Sequence, residues 1–313
     1  MMKMNDKPVV SVVLATYNRA GLLSRAIDSV IAQTYKDFEL IIVSDGSTDN
    51  TDEVVNSYND PRILFLENDK KEGLSSARNS GFHHSSGKYI ALLDDDDEWH
   101  PEKLEIQVPF IDKTPDSVGI VYTWMEYIVN GKRTKIFSPR VKGNFLVQML
   151  DKQAIGGDPT LLIKRKVFDV IGGYDEAIKR GVGGDFNRRA ARYFEVDFIP
   201  KILVRVYAEH DFIRITENDR ESHMNAIEGQ KIKLQKFKKE FKEYPAKAAR
   251  VHAIIGFHYS EINEGKKAIE YFKKAVTINR FDNVVFKKIF LSIAKKIKKY
   301  LLNKWRILKC QIF

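Results

Sequence analysis

Four short apolar runs, Val9–Leu14, Phe38–Val43, Ile63–Glu67 and Tyr89–Leu93, are separated by amphipathic stretches with a helical period. That alternation confines the first part of the chain to βαβ units around a mostly parallel sheet. The first stretch, Ala20–Gln33, sets Leu22, Leu23, Ala26, Ile27, Val30 and Ile31 on one face and predicts a helix. The loop Asp45-Gly46-Ser47-Thr48-Asp49 supplies turn and capping residues for a second helix. Further on, Asn130-Gly131 after the strand-like Gly119–Val129 predicts a hairpin. The region from about 118 to 202 is therefore expected to be more mixed than doubly wound.

A length of 313 residues leaves room for one large α/β domain and a smaller appendage, and 43% hydrophobic content is enough for a true core. No apolar run approaches the roughly 18 residues of a spanning helix. A single cysteine, Cys310, excludes an intrachain disulfide and a cysteine-based zinc site, as expected of a reducing cytoplasm. The polar segment Met1–Lys7 does not read as a secretory leader.

The net charge of +10 is unevenly spread. Residues 231–313 hold 22 Lys and Arg against 6 Asp and Glu, whereas 1–230 hold 30 against 36. From about Glu217 Gly and Pro thin out and the pattern turns helical, so the boundary is placed between a domain over 1–217 and a helical tail over 218–313. Within the tail His252, Ile255, Gly256, Tyr259, Ala268, Phe272 and Ala275 have tetratricopeptide spacing, over about 249–282, although Arg280 stands where that repeat usually has proline. A generic helical hairpin fits the same pattern. The stretch 284–309 combines Phe286, Ile289, Ile293, Ile297, Tyr300, Leu301 and Leu308 with nine basic residues, a pattern that suits an anionic membrane surface. A helix that merely covers the repeat is the alternative; a nucleic-acid surface is disfavoured by the sparse aromatic interleaving.

The sharpest feature is Leu92-Leu93-Asp94-Asp95-Asp96-Asp97-Glu98-Trp99, four carboxylates directly after an apolar strand. Acid runs are usually solvated turns. In open α/β sheets, however, ligands bind at the carboxyl ends of strands, where hard oxygen donors suit Mg²⁺ or Mn²⁺ and the ion in turn neutralises a diphosphate. Asp45 takes the same position after the second strand, where a carboxylate can accept from a base N–H or a ribose hydroxyl; an ordinary turn would also use Asp-Gly-Ser. The first strand ends in Ala15-Thr16-Tyr17-Asn18-Arg19, which offers an aromatic face and polar groups at that edge.

These segments resemble the family-2 glycosyltransferases of the GT-A fold. The resemblance rests on Ser11–Arg19, on Ser29–Tyr35 with Phe38–Asp49, on Gly73-Leu74-Ser75-Ser76-Ala77-Arg78-Asn79-Ser80-Gly81 and on Asp94–Trp99, in order and spacing, and covers about residues 8–215. It implies an α/β fold with a Rossmann-like mixed sheet, followed here by the helical appendage. It also implies a nucleotide site of Thr16, Tyr17, Asn18, Asp45, Arg78, Asp94 and Asp95, with Tyr17 and Asp45 at a uracil-type base and Arg78 near base or phosphate. Asp94 would face the ribose and Asp96 the metal; His210, near where related enzymes close the site, is a candidate contact to phosphate or metal, the alternative being a histidine that does neither.

Gly172–Glu176 followed by Gly183-Gly184-Asp185-Phe186-Asn187-Arg188-Arg189 looks like the family's acceptor region, which makes Asp185 the expected general base; its alternative is a helix N-cap. The family often has Glu-Asp here and this chain has Gly184-Asp185. Gly156–Thr160 falls in the acceptor half as well, where a plain turn is the competing reading.

The implied activity is metal-dependent, inverting transfer of a sugar from a nucleoside-diphosphate sugar, UDP-linked first, to a hydroxyl of a glycan or lipid-linked glycan in envelope synthesis. The implied place is the cytoplasm, peripheral on the inner face of the cell membrane. An inactive scaffold acting through the tail is the rival. A sugar-nucleotide pyrophosphorylase would want a glycine-rich loop where Ala15-Thr16-Tyr17-Asn18 stands.

Overall fold

The computed structural model describes residues 7–207, 219–295 and 297. They form two compact units, one on each side of residues 208–218. His210 and part of the expected basic helix, residue 296 and residues 298–309, lie outside the described residues.

The first unit follows the alternation of its sequence: β1 (Val10–Thr16), α1 (Ala20–Ile31), β2 (Phe38–Ser44), α2 (Thr51–Asn56), β3 (Ile63–Glu67), α3 (Leu74–His84), β4 (Tyr89–Asp94), β5 (Asp97–Trp99) and α4 (Lys103–Asp112). Then come β6 (Val118–Val129), β7 (Lys132–Phe137), α5 (Leu146–Met149), a 3₁₀ turn at Asp158–Thr160, β8 (Leu161–Lys164), α6 (Arg165–Ile171), α7 (Val182–Ala190) and β9 (Glu195–Tyr207). One sheet runs β3-β2-β1-β4-β8-β6-β9-β5, with β7 paired to β6. Its β3-β2-β1-β4 half is parallel, and β8 opens the mixed half by pairing antiparallel with both β4 and β6.

Strands β1, β2 and β4 are covered on both faces, which is why they read as nearly continuous apolar runs. Val10, Val12 and Leu14 share a core with Leu23, Ala26, Ile27 and Val30 of α1, and each such large side chain contributes about 1.5–3 kcal/mol of burial. Helix α3 lies so close to the sheet that a Cβ on Gly81 would collide with Val13, which accounts for the small residue in that motif. The expected hairpin is present, with Asn130 (φ 49°) and Gly131 (φ 69°) both left-handed between β6 and β7.

In the second unit α8 (Arg220–Lys236), α9 (Lys238–Glu243), α10 (Pro245–Glu261) and α11 (Gly265–Ile278) precede a helix over 283–295. Helices α10 and α11 pack against each other, and Gly256 admits the Phe272 ring between them. Ala249, Ala253, Ala275 and Val285 form a small core.

Candidate active site

Parallel pairing puts the ends of β2, β1 and β4 side by side: Thr16 pairs with Ser44, and Ala15 with Asp94. Asp45 and Asp94 therefore flank the end of β1 from two neighbouring strands, about 10 Å apart at ordinary strand spacing. The chain turns at Asp95–Asp96 and re-enters the sheet as β5, which pairs antiparallel with β9 through Asp97 and Val206. This turn is braced on several sides. Arg25 Nη2 donates to the Asp96 carbonyl at 2.6 Å, and Trp99 Nε1 donates to the Pro159 carbonyl at 2.9 Å. Buried Gln33 accepts from Leu104 N and donates to the His100 carbonyl, fixing the start of α4. Behind it Lys103 is sealed, its Nζ 3.8 Å above the Trp99 ring with no hydrogen-bond partner among the described residues. Burial pushes that ammonium well below the usual lysine range.

The four consecutive acids separate into two sets. Asp94, Asp96 and Asp97 bring ligand oxygens within 4.8 Å of one another. Asp95 falls outside that set and is buried, its Oδ2 accepting from Thr16 Oγ1 at 2.8 Å and its Oδ1 from Arg19 Nη1 at 2.9 Å. Thr16 and Asp95 thus face each other inside the sheet edge. Burial pushes the Asp95 carboxyl up, with Arg19 opposing. Asp94 is pushed up to about 6 by burial, opposed by Arg78 and reinforced by Asp96, Asp158 and Asp95.

The gathered oxygens are hard donors of the type that holds Mg²⁺ or Mn²⁺, so the residues fit a divalent ion. Two arginines meet the same cluster. Arg19 Nη1 lies 3.4 Å from Asp96, and buried Arg78 bridges Asp94 at 2.7 Å and Asp158 at 2.6 Å.

On the other side Asp45 is 4% exposed and accepts three hydrogen bonds, from Asn68 Nδ2, Glu72 N and Gly73 N. Those bonds clamp loop 68–73 over the sheet end. Gly46 (φ +72°) permits the close approach, because a Cβ there would stand 2.5 Å from the Lys70 carbonyl carbon. Lys71 Nζ in that loop lies 4.0 Å over the half-buried Tyr17 ring. Asn18 is left-handed (φ 51°) and accepts from Thr48 N at 2.7 Å, joining the ends of β1 and β2.

Asp185 lies in the first turn of α7 and is 1% exposed. It is not the N-cap, a position that Gly181 takes in a left-handed conformation. Its Oδ2 accepts from Arg189 Nε at 2.8 Å, while the other nitrogens of Arg189 hold the carbonyls of Ile171 and Gly173. A Cβ on Gly184 would stand 3.3 Å from Arg188 Nη1, so that arginine takes the space beside the missing glutamate. Burial brings Arg188 down to about 10, with Asp185 opposing the shift. Gly183 lets α7 approach the Asp158 carboxylate, which a Cβ there would displace.

Arg19, Asp97 and Asp158 join the cluster without having been assigned a role from sequence. Arg19 and Asp97 are inside segments that carried the resemblance, but their partners are set by the fold. Asp158 had only its glycine-rich surroundings to mark it.

Residues 11–172 match the profile of glycosyl transferase family 2. The chain belongs to that family. An uncharacterized glycosyltransferase of Methanocaldococcus jannaschii is 32% identical over 234 residues, 72% of this chain and 77% of that one. The Escherichia coli protein WfgD, a UDP-Glc:α-D-GlcNAc-diphosphoundecaprenol β-1,3-glucosyltransferase, is 38% identical over 125 residues, 40% of this chain and 49% of its own. Among solved structures, S. aureus TarS in complex with UDP-GlcNAc superposes with a TM-score of 0.58 at 17% identity, covering 87% of this chain and 91% of that one. The mannosyltransferase PcManGT of Pyrobaculum calidifontis, in complex with GDP-Man and Mn²⁺, gives 0.57 at 17% identity, covering 94% and 81%. The fold of this family-2 glycosyltransferase is accordingly GT-A, followed by a helical appendage.

Proposed function

We propose that the chain transfers a sugar from a nucleoside-diphosphate sugar, UDP-linked first, to a hydroxyl of a lipid-linked glycan in envelope polysaccharide synthesis, with metal dependence and inversion. The observation that carries this reading is the placement of Asp45 and the Asp94, Asp96 and Asp97 oxygens at the carboxyl ends of adjacent parallel strands. The donor and acceptor classes are supported by the names of WfgD and of the TarS complex. A cytoplasmic site of action, peripheral on the inner membrane face, follows from such an acceptor. No helix among the described residues is long and apolar enough to cross a membrane.

In this reading the Tyr17 ring offers a stacking face for the base, and Asp45 keeps acceptor capacity beyond its three bonds for a base N–H. A divalent ion held by Asp94, Asp96 and Asp97 supplies the positive charge that stabilises a departing diphosphate. Asp185, oriented by Arg189, takes the proton of the acceptor hydroxyl as its oxygen bonds to the anomeric carbon. The bond from that carbon to the diphosphate breaks on the opposite face, and the configuration inverts.

One observation favours Asp158 as the base instead: its side chain is 15% exposed and bridged through Arg78 to Asp94, whereas Asp185 is enclosed. Asn substitutions separate the two readings. The true base should lose roughly 10²–10⁴-fold in transfer with UDP-sugar affinity nearly intact. If affinity falls as far as rate, that assignment is wrong.

Calorimetric titration of UDP, GDP and CDP with Mn²⁺, repeated in EDTA, tests the whole site. Micromolar UDP binding that EDTA weakens is the expected result. A folded sample that binds no nucleotide would establish the inactive-scaffold rival.

A further inference from the structure

The helix over 283–295 is apolar on two sides, and among the described residues only one of them is covered. Val285, Ile289 and Ser292 face α10 and α11: Val285 is fully buried against Ala249, Ala253 and Ala275, and Ser292 donates to Ser260 Oγ. At 100° per residue, Phe286, Phe290, Ile293 and Ile297 fall on an adjacent strip. They remain 48%, 70%, 53% and 54% exposed. Ile293 also borders a groove with Ile269, itself 57% exposed, and Phe272, so the apolar surface extends onto α11. Phe281, at 83% exposure, precedes the helix.

Lys287 stands exposed beside the strip, whereas Lys288 and Lys295 turn back onto α10, both over the Phe257 ring and Lys295 paired with Glu261. Residues 281–313 hold nine basic side chains and one acid, Asp282, which is itself paired with Arg250. A second copy seated on the strip would bring two such cationic segments together. Phosphate recognition by a nucleic-acid binder would leave the apolar strip without a use. An exposed apolar strip edged by Lys287, in a segment whose sequence carries this excess of positive charge, matches the headgroup region of an anionic bilayer.

We propose that the strip Phe286, Phe290, Ile293 and Ile297 seats the second unit on anionic membrane, with the apolar side chains among the acyl chains and Lys287 at the headgroup phosphates. This docking does not depend on the proposed transferase chemistry, and its failure would leave that chemistry standing.

The test is sedimentation of the full chain with vesicles of phosphatidylcholine alone or mixed with phosphatidylglycerol. The wild type should pellet only with the mixture, and the double variant Phe290→Ser, Ile297→Ser should lose roughly tenfold in apparent affinity. Both side chains are exposed, so circular dichroism should be unchanged. Lys287→Glu should weaken binding as well, and added salt should do the same.

Absence of vesicle binding by the wild type overturns the proposal. So does a mass in light scattering twice that of the monomer which the Phe290→Ser, Ile297→Ser variant restores to one, since the strip would then join two copies. Binding lost on lysine reversal and untouched by the serine substitutions would also overturn it, leaving attraction by charge alone.

Discussion

Asp96→Ala removes one of three carboxylates whose oxygens lie within 4.8 Å, and metal stimulation of UDP binding is expected to disappear with it. The check is the difference between UDP titrations in Mn²⁺ and in EDTA; an unchanged difference would move the ligand role to a neighbour. The same site should depend on pH. Asp94 is raised to about 6, mainly by burial, so it is ionised above pH 7 and protonates as the pH falls through 6. A protonated carboxyl is a poor ligand for a cation. Metal-dependent UDP affinity should hold from pH 8 to about 7 and decline toward pH 5, and a flat profile would exclude Asp94 from the set. The strand-end acids were legible in the sequence, because the end of an apolar run fixes which residue emerges at the ligand edge. Their division was not. The turn that gathers Asp94, Asp96 and Asp97 and leaves Asp95 against Thr16 leads into β5, and the partners Arg19 and Asp158 lie 76 and 80 residues from Asp95 and Arg78.

Loop 68–73 is held down by Asp45 and by the absence of a side chain at Gly46, so the element can be probed without touching an acid. Gly46→Ala places a Cβ 2.5 Å from backbone at a left-handed φ, and the combined overpacking and conformational cost is about 2–4 kcal/mol. A lower melting temperature and weaker UDP affinity are expected, with Mn²⁺ binding unaltered because the loop contributes none of the three metal-side carboxylates. Equal loss of Mn²⁺ binding would show that the loop supports the whole site. Where periodicity was strong the elements matched closely: Ile63–Glu67 forms as read, Tyr89–Leu93 gains one residue, and the Ala20 helix stops two residues early. β5 went unread because three residues inside an acid run carry no period. β9 contains Pro200, and its register against β6 skips from Ile199 to Ile202, a bulge that breaks strand alternation.

At the scale of the molecule the two units also differ in charge, residues 1–213 holding 28 Lys and Arg against 32 Asp and Glu and residues 214–313 holding 24 against 10. A chain ending at residue 218 is expected to retain metal-dependent UDP binding, measured by the same titration; loss of binding by a folded truncation would assign the tail a part in the site. The two apolar sides of the helix over 283–295 were not separable in the sequence, because sequence alone does not say which apolar strip a neighbour covers. Lys103 carries a different consequence. An amine sealed over Trp99 is shielded from acylating reagents until the wall formed by β5 and α4 opens. Its labelling rate, followed by mass spectrometry beside that of the exposed lysines, is then a clock for opening of the catalytic unit, and a bound nucleotide should slow that clock in proportion to its affinity for the closed form.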